Sequence, residues 1–213
     1  MQKVNKKIIV SDATLRDGNH AIRHQINKKQ LEIYCKAAEK AGTDIVEVGH
    51  GNGVGASSIQ VGLSNLTDIQ MLEISRKFLK KTKLGVHIIP GFGTIQDIKV
   101  AIKIGVDVFR IASHCTEADI TQKHIEFIRK RNRKVFGVLM MSHMASKEIL
   151  LQEAKKMANY GAQGVILMDS AGAYVQENVK ERVTFLKKKL KKIPVGFHAH
   201  NNLGLAIANS IEA

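Results

Sequence analysis

Tryptophan is absent from these 213 residues, aromatic residues make up 5%, and there are only two prolines and two cysteines. Each shortage closes off a class of protein. Two cysteines, Cys35 and Cys115, cannot build a disulfide framework, and they lack the paired spacing of a thiolate metal site. Both read as buried or incidental thiols. No Pro- or Ser-rich stretch offers a linker at which to divide the chain, which predicts a single domain over residues 1–213. The longest apolar runs, such as Val135 to Met141, fall far short of the roughly 20 residues that a membrane-spanning helix needs. The opening Met1-Gln2-Lys3-Val4-Asn5-Lys6-Lys7 lacks the apolar stretch and cleavage site of a signal peptide, so a cytoplasmic location is expected. With few aromatics, the hydrophobic 44% is mostly Ile, Val, Leu, Ala and Met, which suits strands buried on both faces beneath packed helices.

Positive charge is the obvious excess: 33 Lys and Arg against 19 Asp and Glu, a formal net charge of +14. Much of it lies in three stretches, Arg76 to Lys83, Arg129 to Lys134 and Lys187 to Lys192. Each stands just before an apolar run, where a helix would end and cations complement its dipole. No aromatic residues interleave to stack bases, so these runs read as solvated surface and not as a nucleic-acid footprint. The charge can still help to attract an anionic substrate.

One rhythm repeats along the chain. Short β-branched runs at Lys7–Asp12, Asp44–Gly49, Leu84–Ile89, Val106–Ile111, Val135–Met140, Gly164–Met168 and Pro194–His198 predict strands. Between them, helical periodicity occupies 28–41, 67–82, 94–104, 116–131, 146–160, 176–191 and from 201 onward. Asn27 with Gln30, Thr67 with Gln70, Thr94 with Asp97 and Thr116 with Asp119 have capping-box spacing at helix starts. Gly42, Gly105 and Gly161 stand where C-terminal caps would close helices before the next strand. Alternation of this kind means a parallel sheet with crossover helices.

Polar residues then separate a doubly wound sheet from a closed barrel. Asp12, His50, Arg110 with Ser113 and His114, Ser142 with His143, Asp169 with Ser170, and His198 with His200 follow nearly every strand. A barrel gathers all its strand ends on one face, whereas a doubly wound sheet uses only one crevice. The expected fold is therefore α/β, a TIM (β/α)8 barrel truncated after about seven β/α units, since an eighth strand is lacking.

Three segments carry the chemistry. Asp12-Ala13-Thr14-Leu15-Arg16-Asp17-Gly18-Asn19-His20 sets a cation, a carboxylate and an imidazole within one loop. His198-Ala199-His200-Asn201-Asn202 ends the seventh strand, and the strand period of two points His198 and His200 to the same side. Met168-Asp169-Ser170-Ala171-Gly172 ends the sixth. A lone His-x-His is more often a hydrogen-bonded core pair, and a lone Arg–Asp a surface ion pair. In a barrel, however, the first and seventh strands are near neighbours, so Asp17, His198 and His200 could share one divalent ion. Carboxylate and imidazole without thiolate suit Mn²⁺, Mg²⁺ or Co²⁺. His50, His114 and His143 also follow strands, and either line a pocket or bond neighbouring loops. His87 reads as a core histidine, and His24 and His124 as peripheral.

The first two of these motifs resemble the signature of the DRE-TIM metallolyases, a superfamily that includes hydroxymethylglutaryl-CoA lyase. Further stretches resemble its 4-hydroxy-2-oxovalerate aldolase branch: Gly18 to Gln25, Glu47 to Gly51, Ser113 to Asp119, Leu139 to Met144 and Asp169 to Ala173. The likeness runs over essentially the whole chain. It implies a class II, metal-dependent carbon–carbon lyase that cleaves 4-hydroxy-2-oxopentanoate to pyruvate and acetaldehyde through a metal-stabilised enolate, as in aromatic hydrocarbon catabolism. It implies further that Asp17, His198 and His200 bind the metal, most naturally Mn²⁺, and that His20 accepts the proton. Arg16 would stabilise the enolate, and Arg16, Asp17, Ser170 and His198 would contact the substrate. The branch also implies an acylating acetaldehyde dehydrogenase as partner, and a C-terminal helical region that is expected to be missing here. Two other readings stay open: an acyl-CoA-using synthase of the citramalate or isopropylmalate type, and a catalytically silent fragment.

Overall fold

Seven short strands, each followed by a helix, emerge from that rhythm in a computed structural model whose described residues are 8–213. Lys7, the first residue of the first expected strand, lies outside them. The architecture is α/β of TIM-barrel type with seven β/α units. The chain resolves into two compact units, one running up to His87 together with Gln96–Val108, the other Ile88–Ile95 with Phe109–Ala213.

In the first unit, β1 (Ser11–Asp12), β2 (Ile45–Glu47) and β3 (Lys83–Ile88) run parallel in that order. Ser11 pairs with Ile45, and Glu47 pairs with Gly85. Helices α1 (Lys28–Ala41) and α2 (Asp68–Phe78) start on complete capping boxes, Asn27 with Gln30 and Thr67 with Gln70. Gly42 closes α1 in the left-handed region at φ 72°, which a residue with a Cβ adopts only with strain. Leu31, Cys35 and Ala38, spaced by four and three, form the buried stripe of α1, and α1 packs against α2. α3 spans Ile95–Ile104.

The second unit orders its strands β4 (Val108–His114), β5 (Lys134–Met140), β6 (Val165–Asp169) and β7 (Val195–Ala199). Its helices are α4 (Gln122–Arg129), α5 (Lys147–Asn159), α6 (Gln176–Leu190) and α7 (Ala206–Glu212). Ala112, Val138 and Met168 form a buried cluster edged by Ile89, Met140 and Ile166. The register pairs Met168 with His198 and Asp169 with Ala199, which sets the ends of β6 and β7 side by side. Both cysteines are free and buried. Among the described residues no helix is long and apolar enough to cross a membrane.

Several expected elements are shortened, α7 among them, and in three the contacts responsible are evident. β1 begins only at Ser11, because the Val10 N–H donates to the Asp44 carboxylate at 3.1 Å, and Ile8, Ile9 and Val10 stand exposed. α2 stops at Phe78, before the residue 82 expected. The Glu39 carboxylate captures the N–H groups of Lys80, Lys81 and Thr82 at 3.0, 2.8 and 3.0 Å and holds that segment out of the helix. Thr116 caps no helix. Its hydroxyl lies 2.8 Å from Nδ1 of His114, the Ala118 N–H donates to Glu153 at 2.8 Å, and a 3-10 turn at Ala118–Thr121 precedes α4.

Candidate active site and metal ligands

In the first unit the loop after β1 is folded by its own short-range bonds. The Ala13 carbonyl accepts from the N–H groups of Arg16 and Asp17 at 3.0 and 2.7 Å, which leads into a 3-10 turn over Asp17–His20. Asp12 accepts from the Thr14 N–H at 2.8 Å and from the Tyr34 hydroxyl at 2.6 Å. Arg16 is 4% exposed. Its Nε donates to Oε1 of Glu47 at 2.7 Å, and its Nη1 donates to the Gly51 carbonyl at 3.1 Å. The same Nη1 lies 3.1 Å from the Asp17 carboxylate. Its Nη2 is buried and has no hydrogen-bond partner among the described residues. A guanidinium fixed on one side, with a buried donor left over on the other, is ready to meet an anionic oxygen. His20 ends the turn and is exposed as a whole residue.

The expectation that His24 is peripheral is wrong. His24 is 5% exposed, and its ring stacks on the fully buried His50 with centroids 3.6 Å apart. Arg23 and His24 take φ of 52° and 62°, two successive non-glycine residues in the left-handed region, and that turn carries the ring inward. Burial first, and the neighbouring imidazoles second, lower the pKa of both rings: His20 acts on His24, while His24 and then His20 act on His50. His50 bonds its own loop, accepting the Asn52 N–H at Nδ1 (3.0 Å) and reaching the Gly62 carbonyl with Nε2 (3.1 Å).

In the second unit, His198 and His200 face each other with their Nε2 atoms 3.3 Å apart. Nδ1 of His200 lies 2.8 Å from the Ser170 carbonyl, which can only accept, so Nδ1 carries the proton and Nε2 keeps its lone pair. The Ser170 hydroxyl accepts the N–H of Met141 at 2.9 Å, and its proton stays available to donate. Met141 itself sits in the left-handed region at φ 53°. Asp169, fully buried, accepts the N–H groups of Ala173 and Tyr174 at 2.9 and 3.1 Å and shapes the loop below Ser170. His143 lies 4.0 Å from Asp169, and His114 bonds the Thr116 hydroxyl. His87 is buried, as expected of a core histidine. His124 is half-buried, its Nε2 2.9 Å from the Gly93 carbonyl.

Arg16 and Asp17 are thus brought into contact, as are His198 and His200, and Ser170 stands against His200. Reading the sequence missed three contributors: Glu47 as the partner of Arg16, Gly51 as its backbone acceptor, and Met141 as the donor to Ser170. A carboxylate inside the apolar run Ile45-Val46-Glu47-Val48 was the available signal for the first, since a buried charge requires a partner.

The HMGL-like family model matches residues 7–213. A relative from Pectobacterium atrosepticum, curated as 4-hydroxy-2-oxovalerate aldolase, is 54% identical over 209 residues, 98% of this chain and 61% of its own length. One of the same name from Spirochaeta aurantia is 56% identical over 207 residues, covering 97% and 60%. The chain therefore spans about three fifths of the length of the curated relatives it matches. Among solved structures, an N-terminal domain from Bacteroides vulgatus superposes with a TM-score of 0.79 at 26% identity, over 97% of this chain and 69% of that one. The carboxyl transferase domain of Rhizobium etli pyruvate carboxylase, solved with pyruvate and biocytin, gives 0.83 at 16% identity, over 99% and 38%, a likeness of fold.

Proposed function

The chain belongs to the HMGL-like family, and from that premise we propose that it carries the catalytic machinery of a 4-hydroxy-2-oxovalerate aldolase, cleaving 4-hydroxy-2-oxopentanoate to pyruvate and acetaldehyde. The relatives' names at 54–56% identity support the substrate and reaction. The structural observation that carries the reading is Arg16, buried, braced by Glu47 and retaining an unpartnered Nη2.

In this reading Asp17, His198 and His200 hold a divalent cation, Mn²⁺ first and Mg²⁺ or Co²⁺ next. The donor set fits such an ion. Each residue offers a ring nitrogen or a carboxylate oxygen, the set holds no thiolate, and the Ser170 carbonyl, by accepting from the Nδ1–H of His200, makes Nε2 its unprotonated nitrogen. When bound, the cation supplies Lewis-acid stabilisation of the negative oxygen that forms as the carbon–carbon bond breaks. The chain's own groups do the rest. His20 takes the proton of the 4-hydroxyl, the C3–C4 electrons move toward the 2-keto group, and acetaldehyde departs. Arg16 offers its remaining donor to the enolate oxygen, a preorganised charge that costs no reorganisation during the step. The Ser170 hydroxyl, held by the Met141 N–H, donates to the substrate. Protonation at C3 then yields pyruvate. Acetaldehyde is a reactive electrophile, which makes an acylating acetaldehyde dehydrogenase the fitting partner.

The ligand assignment is tested by titrating Mn²⁺ into the chain and following the free-ion signal by electron paramagnetic resonance. One bound equivalent is expected in the parent. Asp17→Ala and His200→Ala should each weaken binding by more than roughly tenfold, since even outer-shell changes cost about that much. Mn²⁺ binding that is indifferent to both substitutions would overturn the assignment.

A further inference from the structure

One residue in the first unit is approached from three directions. The Gly51 N–H donates to Nδ1 of His24 at 3.4 Å, and the Gly51 carbonyl accepts from Nη1 of Arg16 at 3.1 Å. On its third side lies the His20 ring. A Cβ built on Gly51 would stand 2.4 Å from Nε2 of His20 and 2.5 Å from its two neighbouring ring carbons. Gly51 does not have a positive φ, so glycine is needed there for space and not for backbone freedom. The bare Cα of Gly51 is the surface against which the His20 imidazole rests.

Behind that surface stands the histidine stack. The His24 ring meets His20 edge-on, with centroids 5.0 Å apart and planes at 70°, and lies flat on His50 at 3.6 Å. His50 meets His20 at 6.3 Å, again nearly edge-on. Tautomers are fixed by the acceptors and donors around the stack. Gly51 and Asn52 donate N–H to Nδ1 of His24 and His50 respectively, so each neutral ring carries its proton on Nε2. The left-handed pair Arg23 and His24 is strained, and such strain persists only where its surroundings hold it. Here they do. The His24 N–H donates to the Asn19 carbonyl at 2.8 Å, the Asn65 N–H donates to the His24 carbonyl at 3.0 Å, and a Cβ on Gly62 would meet the His24 ring at 2.8 Å.

We infer that His24, stacked on His50 and bonded to Gly51, is a positioning residue that fixes the plane of the His20 ring, and that Gly51 is glycine because that ring occupies the place of its side chain. The inference rests on the reading of His20 as proton acceptor. It makes the pair His24–Gly51 the device that couples base and enolate-stabilising arginine, since the N–H of this one residue is held by His24 and its carbonyl by Arg16. A side chain at 51 displaces His20, and a residue without an acceptor at 24 frees the Gly51 N–H.

Asparagine at position 24 can place its Oδ1 where Nδ1 now accepts from Gly51, so His24→Asn is the conservative rescue and His24→Ala the loss. The readouts are imidazole ¹H–¹⁵N spectra of the full chain and retro-aldol turnover with Mn²⁺. His24→Ala should shift or broaden the His20 ring signals and lower kcat by roughly 10- to 100-fold with KM changed less than about twofold, the pattern of a misplaced catalytic group. His24→Asn should restore both. Gly51→Ala, which leaves His24 intact, should move the His20 signals and kcat in the same way, and covers the case in which His24→Ala does not fold. His20 signals and kcat unchanged in His24→Ala or in Gly51→Ala would overturn the inference alone. Wild-type kcat in His20→Ala would instead bring down the base reading, and with it the catalytic meaning of the positioning.

Discussion

Replacing Glu47 with leucine would remove the carboxylate at 2.7 Å from Nε of Arg16 and leave a guanidinium that is 4% exposed. Breaking a buried pair by deleting one partner costs about 3–5 kcal/mol, because the remaining charge is stranded away from water. Arg16 keeps two contacts, Asp17 and the Gly51 carbonyl, each at 3.1 Å, so the lower end applies, about 3 kcal/mol. For a chain of this size 1 kcal/mol moves Tm by roughly 2–4 °C, which gives a fall of about 6–12 °C. In urea, with a slope near 3 kcal/mol/M, the midpoint should drop by about 1 M. Arg16→Met should also destabilise, since it removes the guanidinium nitrogen at 2.7 Å from Glu47, which is 0% exposed. The double variant should lose no more than the worse single one, because an apolar pair in place of a buried ion pair is often neutral. Urea unfolding of all four proteins by circular dichroism measures the cycle. Penalties that simply add, or a Glu47→Leu shift below about 0.3 M, would refute the argument that this pair is held by mutual burial.

Three further outcomes are expected. The lowered pKa values of His24 and His50 mean that the unfolded chain binds more protons than the folded one below the ordinary imidazole value of 6.5. The stability contributed by these two neutral rings is therefore full above that pH and lost as pH falls through their folded values, so Tm should drop from pH 7.5 to 5.5, and drop less in a His24→Asn, His50→Asn double variant. Asn27→Ala removes the capping box of α1 and should cost about 1 kcal/mol, read as a Tm decrease of roughly 2–4 °C, with no change in Mn²⁺ affinity. Ser170→Ala keeps the carbonyl that orients His200 but deletes the hydroxyl. It should raise KM for the keto acid while leaving Mn²⁺ affinity within about twofold, and a large loss of metal binding would show that the hydroxyl matters to the ion instead.

The parts of this architecture that local sequence controls were readable in advance. The β/α alternation follows from periodicity alone, and the Asn27 and Thr67 caps follow from a spacing of three with the right side chains. The same rule failed at Thr116, because Glu153, far along the chain, satisfies the backbone N–H that starts the turn there. α2 stopped early for a similar reason: Glu39 of α1 takes three backbone donors that helical periodicity assigned to α2. At the site, Arg16, Asp17, His198 and His200 declared themselves by residue type and strand-end position. Glu47 and His24 did not. Their importance lies in contacts with residues tens of positions away, and His24 turns inward only because two successive non-glycine residues accept a left-handed backbone.

The most direct test of the central claim is pyruvate release from 4-hydroxy-2-oxopentanoate, followed through lactate dehydrogenase and NADH oxidation. The account predicts turnover that requires Mn²⁺ and stops with a chelator. Asp17→Asn should abolish it, and His20→Ala should reduce it by roughly 10²–10⁴-fold, the usual worth of a positioned general base. Pyruvate release that ignores both the chelator and Asp17→Asn would contradict it, as would a metal-loaded chain that leaves this substrate intact yet condenses pyruvate with acetyl-CoA.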